Sequence, residues 1–192
     1  MQLIFATNNQ NKVNEIKKVV SGDIDIIPLK EAGIDKDVPE PYDTLEENAS
    51  TKSKTIFEMT GQDCFSEDTG LEVVALNGAP GVKSARYAGE PADSEKNIDK
   101  LLHELKDKDD KSAQFRTVIS LLLGGKEYFF EGICEGKIIE ERRGTDGFGY
   151  DPVFIPEGSE KTFAEMTMEE KNKFSHRKKA TQQLIQFLNG LK

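Results

Sequence analysis

Strand-like and helix-like stretches alternate along the 192 residues, which predicts an α/β protein. Three features carry that prediction. The chain opens on a short apolar run, Leu3-Ile4-Phe5-Ala6, followed by a polar turn and then by Val13, Ile16, Val19 and Val20 at helical spacing as far as Gly22, so it reads as strand, turn, helix. Phe115 to Leu123 is the strongest strand signal, and Gly124-Gly125 turns it back into Glu127 to Cys134 as a hairpin. Two later segments each carry one apolar stripe: Ile98, Leu101, Leu102 and Leu105 behind a cap at Asp93 or Ser94, and Ala180, Leu184, Ile185 and Leu188 behind Ser175. No repeat or linker divides the chain, so residues 1–192 are expected to form a single domain, built as two lobes if at all divided.

Between these landmarks the pattern is also legible. Ile24 to Leu29 reads as a second strand, and Pro39-Glu40-Pro41 as a rigid loop carrying one isolated acid. Thr44-Leu45-Glu46-Glu47 is a capping box, with Glu47 expected to reach back to the Thr44 N–H. The helix it opens should run to about Met59, with Asn48 and Lys52 on one face and Ile56 and Met59 on the apolar side. Leu71 to Leu76 reads as a short strand before the turn Asn77-Gly78-Ala79-Pro80-Gly81, and Gly136 to Glu140 as continuing strand. Thr167 to Glu170 is a second capping box, opening a short helix that holds Lys171.

Composition narrows the function. Hydrophobic residues make up 36% and charged residues 32% of the chain, as in soluble globular proteins. A formal net charge of -9 argues against broad nucleic-acid binding, which needs an extended basic surface. The N-terminus lacks the features of a signal peptide and no apolar run reaches membrane-spanning length, so a cytoplasmic protein without a membrane partner is expected. Cys64 and Cys134 both lie in apolar settings and read as buried structural thiols.

The chemistry concentrates in a few places. Cys64-Phe65-Ser66-Glu67-Asp68-Thr69-Gly70 reads as a strand running into two adjacent acids and a tight turn at Gly70. Neighbouring side chains on a strand point to opposite faces, so Glu67 and Asp68 should do different work. Acids at a strand end suit Mg²⁺, which takes a few carboxylates and completes its shell with water and phosphate oxygens. The turn Thr7-Asn8-Asn9-Gln10-Asn11-Lys12 lies at a helix N-terminus, where it can present N–H groups to an anion or simply cap the helix. In Gly144-Thr145-Asp146-Gly147-Phe148-Gly149-Tyr150-Asp151, glycines would let backbone approach a ligand while Phe148 and Tyr150 offer faces for a base, or the aromatics pack on the core. The first turn of the last helix, His176-Arg177-Lys178-Lys179, puts cations against the helix dipole and so calls for an anion or acceptor nearby.

Taken in order, Thr7 to Lys12, Glu47-Asn48-Ala49, Lys52, Glu67-Asp68-Thr69-Gly70, Gly78-Ala79-Pro80-Gly81 with Ser84-Ala85-Arg86-Tyr87, Phe148 to Asp151 and Ser175-His176-Arg177 closely resemble the inosine triphosphate pyrophosphatase family. The resemblance runs from Leu3 to about Phe187. It implies the α/β fold of ITPase-like and Maf-like proteins, a long twisted mixed sheet with two lobes flanking a nucleotide-binding cleft. It also implies Mg²⁺-dependent hydrolysis of dITP, ITP and XTP to monophosphate and pyrophosphate, by a homodimer. By the same resemblance Thr7, Asn8, Asn9, Gln10, Asn11, Lys12 and Lys52 hold the triphosphate. Asp68 is the catalytic residue and a metal contact, Glu40 the second metal carboxylate, and Thr69 a substrate contact. Phe148, Gly149, Tyr150, Asp151, Lys171, His176 and Arg177 bind the nucleoside, the last two as donors to a 6-keto group.

Two departures from the family pattern stand out. Asn8 sits where the family often has glycine, which asparagine can mimic in a left-handed turn, and the acidic pair is Glu67-Asp68 rather than two aspartates. The related Maf-type pyrophosphatases open with a loop rich in serine and arginine, unlike the amide-rich loop here. A nucleotide-binding module without turnover would not need Glu40, Lys52, Asp68 and Lys171 all in place.

Overall fold

The computed structural model describes residues 1–20 and 24–191. The strands are β1 (Gln2–Phe5), β2 (Asp25–Pro28), β3 (Cys64–Val73), β4 (Pro80–Gly81), β5 (Ser112–Leu123), β6 (Lys126–Ile138) and β7 (Phe154–Pro156). The α-helices are α1 (Gln10–Val19), α2 (Leu45–Thr60), α3 (Ser94–Leu105), α4 (Met168–Lys171) and α5 (His176–Asn189). Gly22, the expected end of the first helix, lies outside the described residues. The strands follow the order β2-β1-β3-β5-β6-β7 in one mixed sheet, with β4 on β3. The chain divides into two compact units, the first Met1–Asp68, Thr117–Gly132 and Arg177–Lys192, the second Thr69–Arg116 and Ile133–His176.

In the first unit β1 pairs in parallel with β2 (Leu3 opposite Ile26) and with β3 (Phe5 opposite Phe65). Its continuous apolar run follows from burial on both faces. Leu3 and Phe5 join Ile16 of α1 and Leu184 of α5 on one side, while Ile4 and Ala6 join Ile56 of α2 on the other. Phe5 and Phe65 stack with ring centroids 4.5 Å apart. Helix α2 is capped by Thr44, whose hydroxyl oxygen accepts from the Glu47 N–H. Glu47 returns the contact through the Thr44 hydroxyl, which donates to its carboxylate at 2.7 Å, rather than through the expected backbone N–H. Ile56 is fully buried, but Met59, expected on the same apolar side, is 51% exposed.

The second unit packs α3 against its part of the sheet through Ile98, Leu101, Leu105, Leu71, Val73, Phe115 and Phe154. Asp93 caps α3 by accepting from the N–H groups of Glu95 and Lys96. Buried Asn97 fixes the Ser84–Ala88 segment: its Oδ1 accepts from Ala88 N–H at 2.7 Å and its amide donates to the Ala85 carbonyl at 2.9 Å. The hairpin between β5 and β6 closes on Gly124 and Gly125 with φ of 55° and 78°, the left-handed pair that a two-residue turn requires. Neither cysteine is in a disulfide, and both are buried; burial pushes the Cys64 thiol up to about 12.

The central strand departs from expectation in an instructive way. It does not stop at Gly70: β3 runs unbroken to Val73, and only Val74–Leu76 breaks off as a 3-10 turn. Gly70 is required by crowding rather than by a left-handed angle, because a Cβ there would lie 2.6 Å from the Gly81 carbonyl oxygen on the neighbouring strand. Gly70→Ala is therefore expected to cost about 1–3 kcal/mol through forced backbone shifts, read as a lower urea midpoint.

Candidate functional site

Within the first unit β3 delivers Glu67 and Asp68 to opposite faces, as strand geometry demands. The side chain of Glu67 is fully buried and meets two cations. Arg177 donates to it in a bidentate fork, Nε to Oε2 at 2.7 Å and Nη2 to Oε1 at 3.2 Å, and Lys12 Nζ lies 3.0 Å from Oε1. The third arm of the fork, Nη1 of Arg177, donates to Glu15 on α1, itself 5% exposed. Buried Arg177, Glu15 and Glu67 and half-buried Lys12 thus form a set with balanced charge. Burial works against the Glu67 anion, yet Arg177 and then Lys12 outweigh it and hold its carboxyl well below the usual range. Here lies the anion that the cationic start of α5 calls for, at least for Arg177. Arg177, which the family resemblance assigns to the nucleoside, has its guanidinium engaged with Glu67 and Glu15.

On the other face Asp68 meets Lys52, brought from the buried side of α2. Lys52 Nζ lies 2.5 Å from Glu40 Oε1, 2.7 Å from the Glu67 carbonyl oxygen and 3.5 Å from Asp68 Oδ1. Helix α2 also sets the loop that carries Glu40, because Asn48 both accepts from the Tyr42 N–H and donates to the Tyr42 carbonyl, each at 3.0 Å. The Ser66 hydroxyl ties β3 to the same helix by donating to the Ala49 carbonyl at 2.5 Å. Asp68 is 5% exposed, and its Oδ2 has no hydrogen-bond partner among the described residues.

The two partners are unequally served. Burial lifts the Asp68 carboxyl above its ordinary value, and Lys52 and Lys12 do not offset it. For Lys52 burial is outweighed by Asp68 and Glu40, and its ammonium is held above the ordinary value. The imbalance follows from sharing, since one ammonium serves Glu40, Asp68 and a carbonyl. An orphaned, undercompensated buried carboxylate oxygen is what a cation would satisfy. Among the described residues no set of three His, Cys, Asp or Glu side chains is placed to hold a metal ion. Asp68 and Glu40 alone match the one or two carboxylates Mg²⁺ uses when phosphates complete its shell.

The Thr7–Lys12 turn resolves toward capping. Asn9 Oδ1 accepts from the N–H groups of Asn11 at 3.0 Å and Lys12 at 3.3 Å, so those first-turn donors are already engaged. Thr7 Oγ1 accepts from the Asn9 N–H, and Asn8 donates to the Lys36 carbonyl. The side chains of Asn8, Asn9, Gln10 and Asn11 are exposed, and Lys12 is half-buried. Asn77 is the only non-glycine residue with positive φ among the described residues. Asn8 therefore does not take the left-handed conformation by which it was expected to stand in for glycine.

In the second unit Lys171 and Asp151 form a buried ion pair at 2.7 Å. Asp151 Oδ2 also accepts from the Phe148 N–H at 3.0 Å, and Lys171 Nζ lies 5.2 Å from the Phe148 ring centre. His176 is 3% exposed and stacks on Phe115 with centroids 4.8 Å apart. Phe148 and Gly149 are half-buried, leaving that stretch partly open. Tyr150 is corrected: its ring belongs to the core, and its hydroxyl donates to the Ser84 carbonyl at 2.7 Å, so it offers no free face for stacking. Thr69, next to Asp68 on β3, is half-buried.

Glu15 and Asn97 escaped the sequence reading, and neither has a local signature. Thr162 and Glu165 also form a reciprocal capping box, which the Thr-x-x-Glu spacing could have disclosed.

Residues 3–187 match the family model of the Ham1 family. The chain is 51% identical to a dITP/XTP pyrophosphatase of Christiangramia forsetii over 98% of this chain and all of that one. It is 52% identical to a dITP/XTP pyrophosphatase of Porphyromonas gingivalis over 97% of each chain. The Staphylococcus aureus Ham1 protein, solved as a structure, superposes with a TM-score of 0.91 at 41% identity over the full length of both chains. No helix among the described residues is long and apolar enough to cross a membrane.

Proposed function

Because the chain belongs to the Ham1 family, we propose that it is a nucleoside triphosphate pyrophosphatase. It hydrolyses dITP, ITP and XTP to the monophosphate and pyrophosphate, clearing non-standard purines from the nucleotide pool. The observation that carries this reading is Asp68, buried in mid-strand with one oxygen near a lysine shared with Glu40 and the other without a partner among the described residues.

Hydrolysis requires water to attack phosphorus in line with the leaving group, so positioning and charge neutralisation dominate. Lys12 and Lys52 hold the triphosphate, with the polar side chains of Thr7, Asn8, Asn9, Gln10 and Asn11 beside it and Thr69 as a further contact. Asp68 and Glu40 would hold Mg²⁺, which when bound would neutralise phosphate charge and polarise the phosphoryl group. Asp68 orients the attacking water and takes its proton. Lys12 is steadied for its task by Glu67, which is fixed in turn by Arg177, itself paired with Glu15.

Phe148, Gly149, Asp151, Lys171, His176 and Arg177 take the nucleoside end. Phe148 supplies the ring face, and the Asp151–Lys171 pair braces its loop. Donors facing the purine 6-position donate to a keto oxygen and are left unpaired by an amino group. A mismatch of that kind costs about 1–3 kcal/mol, so His176→Ala is expected to narrow the kcat/KM gap between dITP and dATP by about 10-fold or more. An unchanged ratio would remove His176 from base selection. Arg177→Ala is a poorer test, because it also strips two buried carboxylates of their partner. The protein works in the cytoplasm as a homodimer, without nucleic acid.

The product test is direct. With Mg²⁺ and dITP the protein should release pyrophosphate and dIMP; release of phosphate and dIDP would overturn the reading.

A further inference from the structure

The Lys52 ammonium sits where oxygens converge. Glu40 Oε1, the Glu67 carbonyl and Asp68 Oδ1 approach it to 2.5, 2.7 and 3.5 Å, and such an all-oxygen surround also suits a hard divalent cation. The lysine is 7% exposed, so its head cannot be screened by solvent as a surface ion pair is. Its helix is pinned on both sides of it: Asn48 grips Tyr42, Ala49 accepts from Ser66, and Ser53 Oγ pairs with Ser120 Oγ at 2.6 Å. The ammonium is therefore held among these oxygens rather than resting there by chance. It has three protons to offer, and Asp68 Oδ2 still lacks a partner among the described residues.

Resting on the reading of Glu40 and Asp68 as the metal carboxylates, we propose that Lys52 is a resident counter-ion that competes with a divalent cation for them. In the nucleotide-free protein its ammonium occupies the oxygens that Glu40 and Asp68 would lend to the cation, so a bare cation binds weakly. When a triphosphate arrives, phosphate oxygens give the ammonium new partners and it releases the carboxylates. Cation and nucleotide thereby favour each other's binding, and by linkage the effect is reciprocal. Lys52 is then more than a phosphate contact: it keeps the two acids together when the site is empty and makes the cation's arrival depend on substrate.

The test is a titration of the full-length protein with Mn²⁺ alone, without nucleotide, read by calorimetry and by loss of the free-ion paramagnetic signal. Lys52→Met should bind Mn²⁺ at least tenfold more tightly than the wild type although its turnover falls. Lys52→Gln, which keeps a polar head, should move the same way and serves if the methionine variant does not fold. Lys12→Met, whose ammonium pairs with Glu67, should tighten bare Mn²⁺ binding much less. Unchanged or weaker Mn²⁺ binding in both Lys52 variants overturns the proposal, as does an equal gain in Lys12→Met, which would reveal only a general field effect. Failure of the underlying reading looks different: Glu40→Gln or Asp68→Asn placed in the Lys52→Gln background would then leave Mn²⁺ affinity untouched.

Discussion

Asp68→Asn is expected to leave the fold intact and to cut turnover of dITP by about 10²- to 10⁴-fold, the range a positioned acid-base group commonly supplies. The substitution keeps the shape of the side chain and removes the charge on which both proposed duties of Asp68 depend. The fold should not suffer. Burial raises the Asp68 carboxyl above its ordinary value, so in the metal-free protein the folded state disfavours the anion relative to the unfolded chain. That is a stability cost which grows as the pH rises through the unfolded value and which the amide abolishes. The variant should therefore melt no lower than the wild type in the absence of metal, the usual trade of stability for a charged active group. Near-wild-type turnover would remove Asp68 from the chemistry, and a large loss of melting temperature would show that its charge is structural.

The opposite outcome is expected one residue earlier. Glu67→Gln leaves Arg177 and Lys12 facing a neutral amide in a fully buried setting, and breaking a buried pair by removing one partner costs about 3–5 kcal/mol. Urea unfolding should register the loss. Its pH dependence has a definite sign. Burial opposes the Glu67 anion, but Arg177 and Lys12 hold its folded-state carboxyl below the ordinary range. The stability it contributes is then fully present above the unfolded value of about 4.3 and is lost as the pH falls through the depressed folded value. In Glu67→Gln the acid side of the stability curve should flatten. A variant with wild-type urea midpoint and unchanged acid limb would mean that the guanidinium fork is idle.

The contrast between these neighbours explains what the sequence could and could not convey. That Glu67 and Asp68 diverge was legible, because strand alternation is a local rule. So were the starts of α2 and α4 and the Gly124-Gly125 hairpin, all fixed by chemistry within a few residues. The partners of Glu67 were not. Arg177 lies 110 residues from Glu67 and 162 from Glu15, and no periodicity reports a pairing at such separations. Gly70 shows a subtler limit. A glycine after two acids and a threonine reads as a turn, whereas its real constraint is the backbone of a two-residue strand, Pro80–Gly81, too short to leave a pattern. For Tyr150 the residues allowed either a stacking face or packing on the core, and only the packed core around Phe154 and Phe163 decides for the second. The roles assigned to Thr7–Lys12, Lys171 and His176 came from family resemblance, and the capping by Asn9 was one of two readings the residues themselves allowed.

The central claim is that a buried carboxylate in mid-strand, with two lysines and a divalent cation, cleaves the triphosphate of a keto purine while sparing an amino purine. It is tested most directly by giving the purified protein an equimolar mixture of dITP and dATP with Mg²⁺ and separating the products by chromatography. The account predicts that dIMP and pyrophosphate accumulate while dATP persists, and that withdrawing the metal with EDTA stops the reaction. Consumption of both nucleotides at the same rate, or release of phosphate with dIDP, would contradict it.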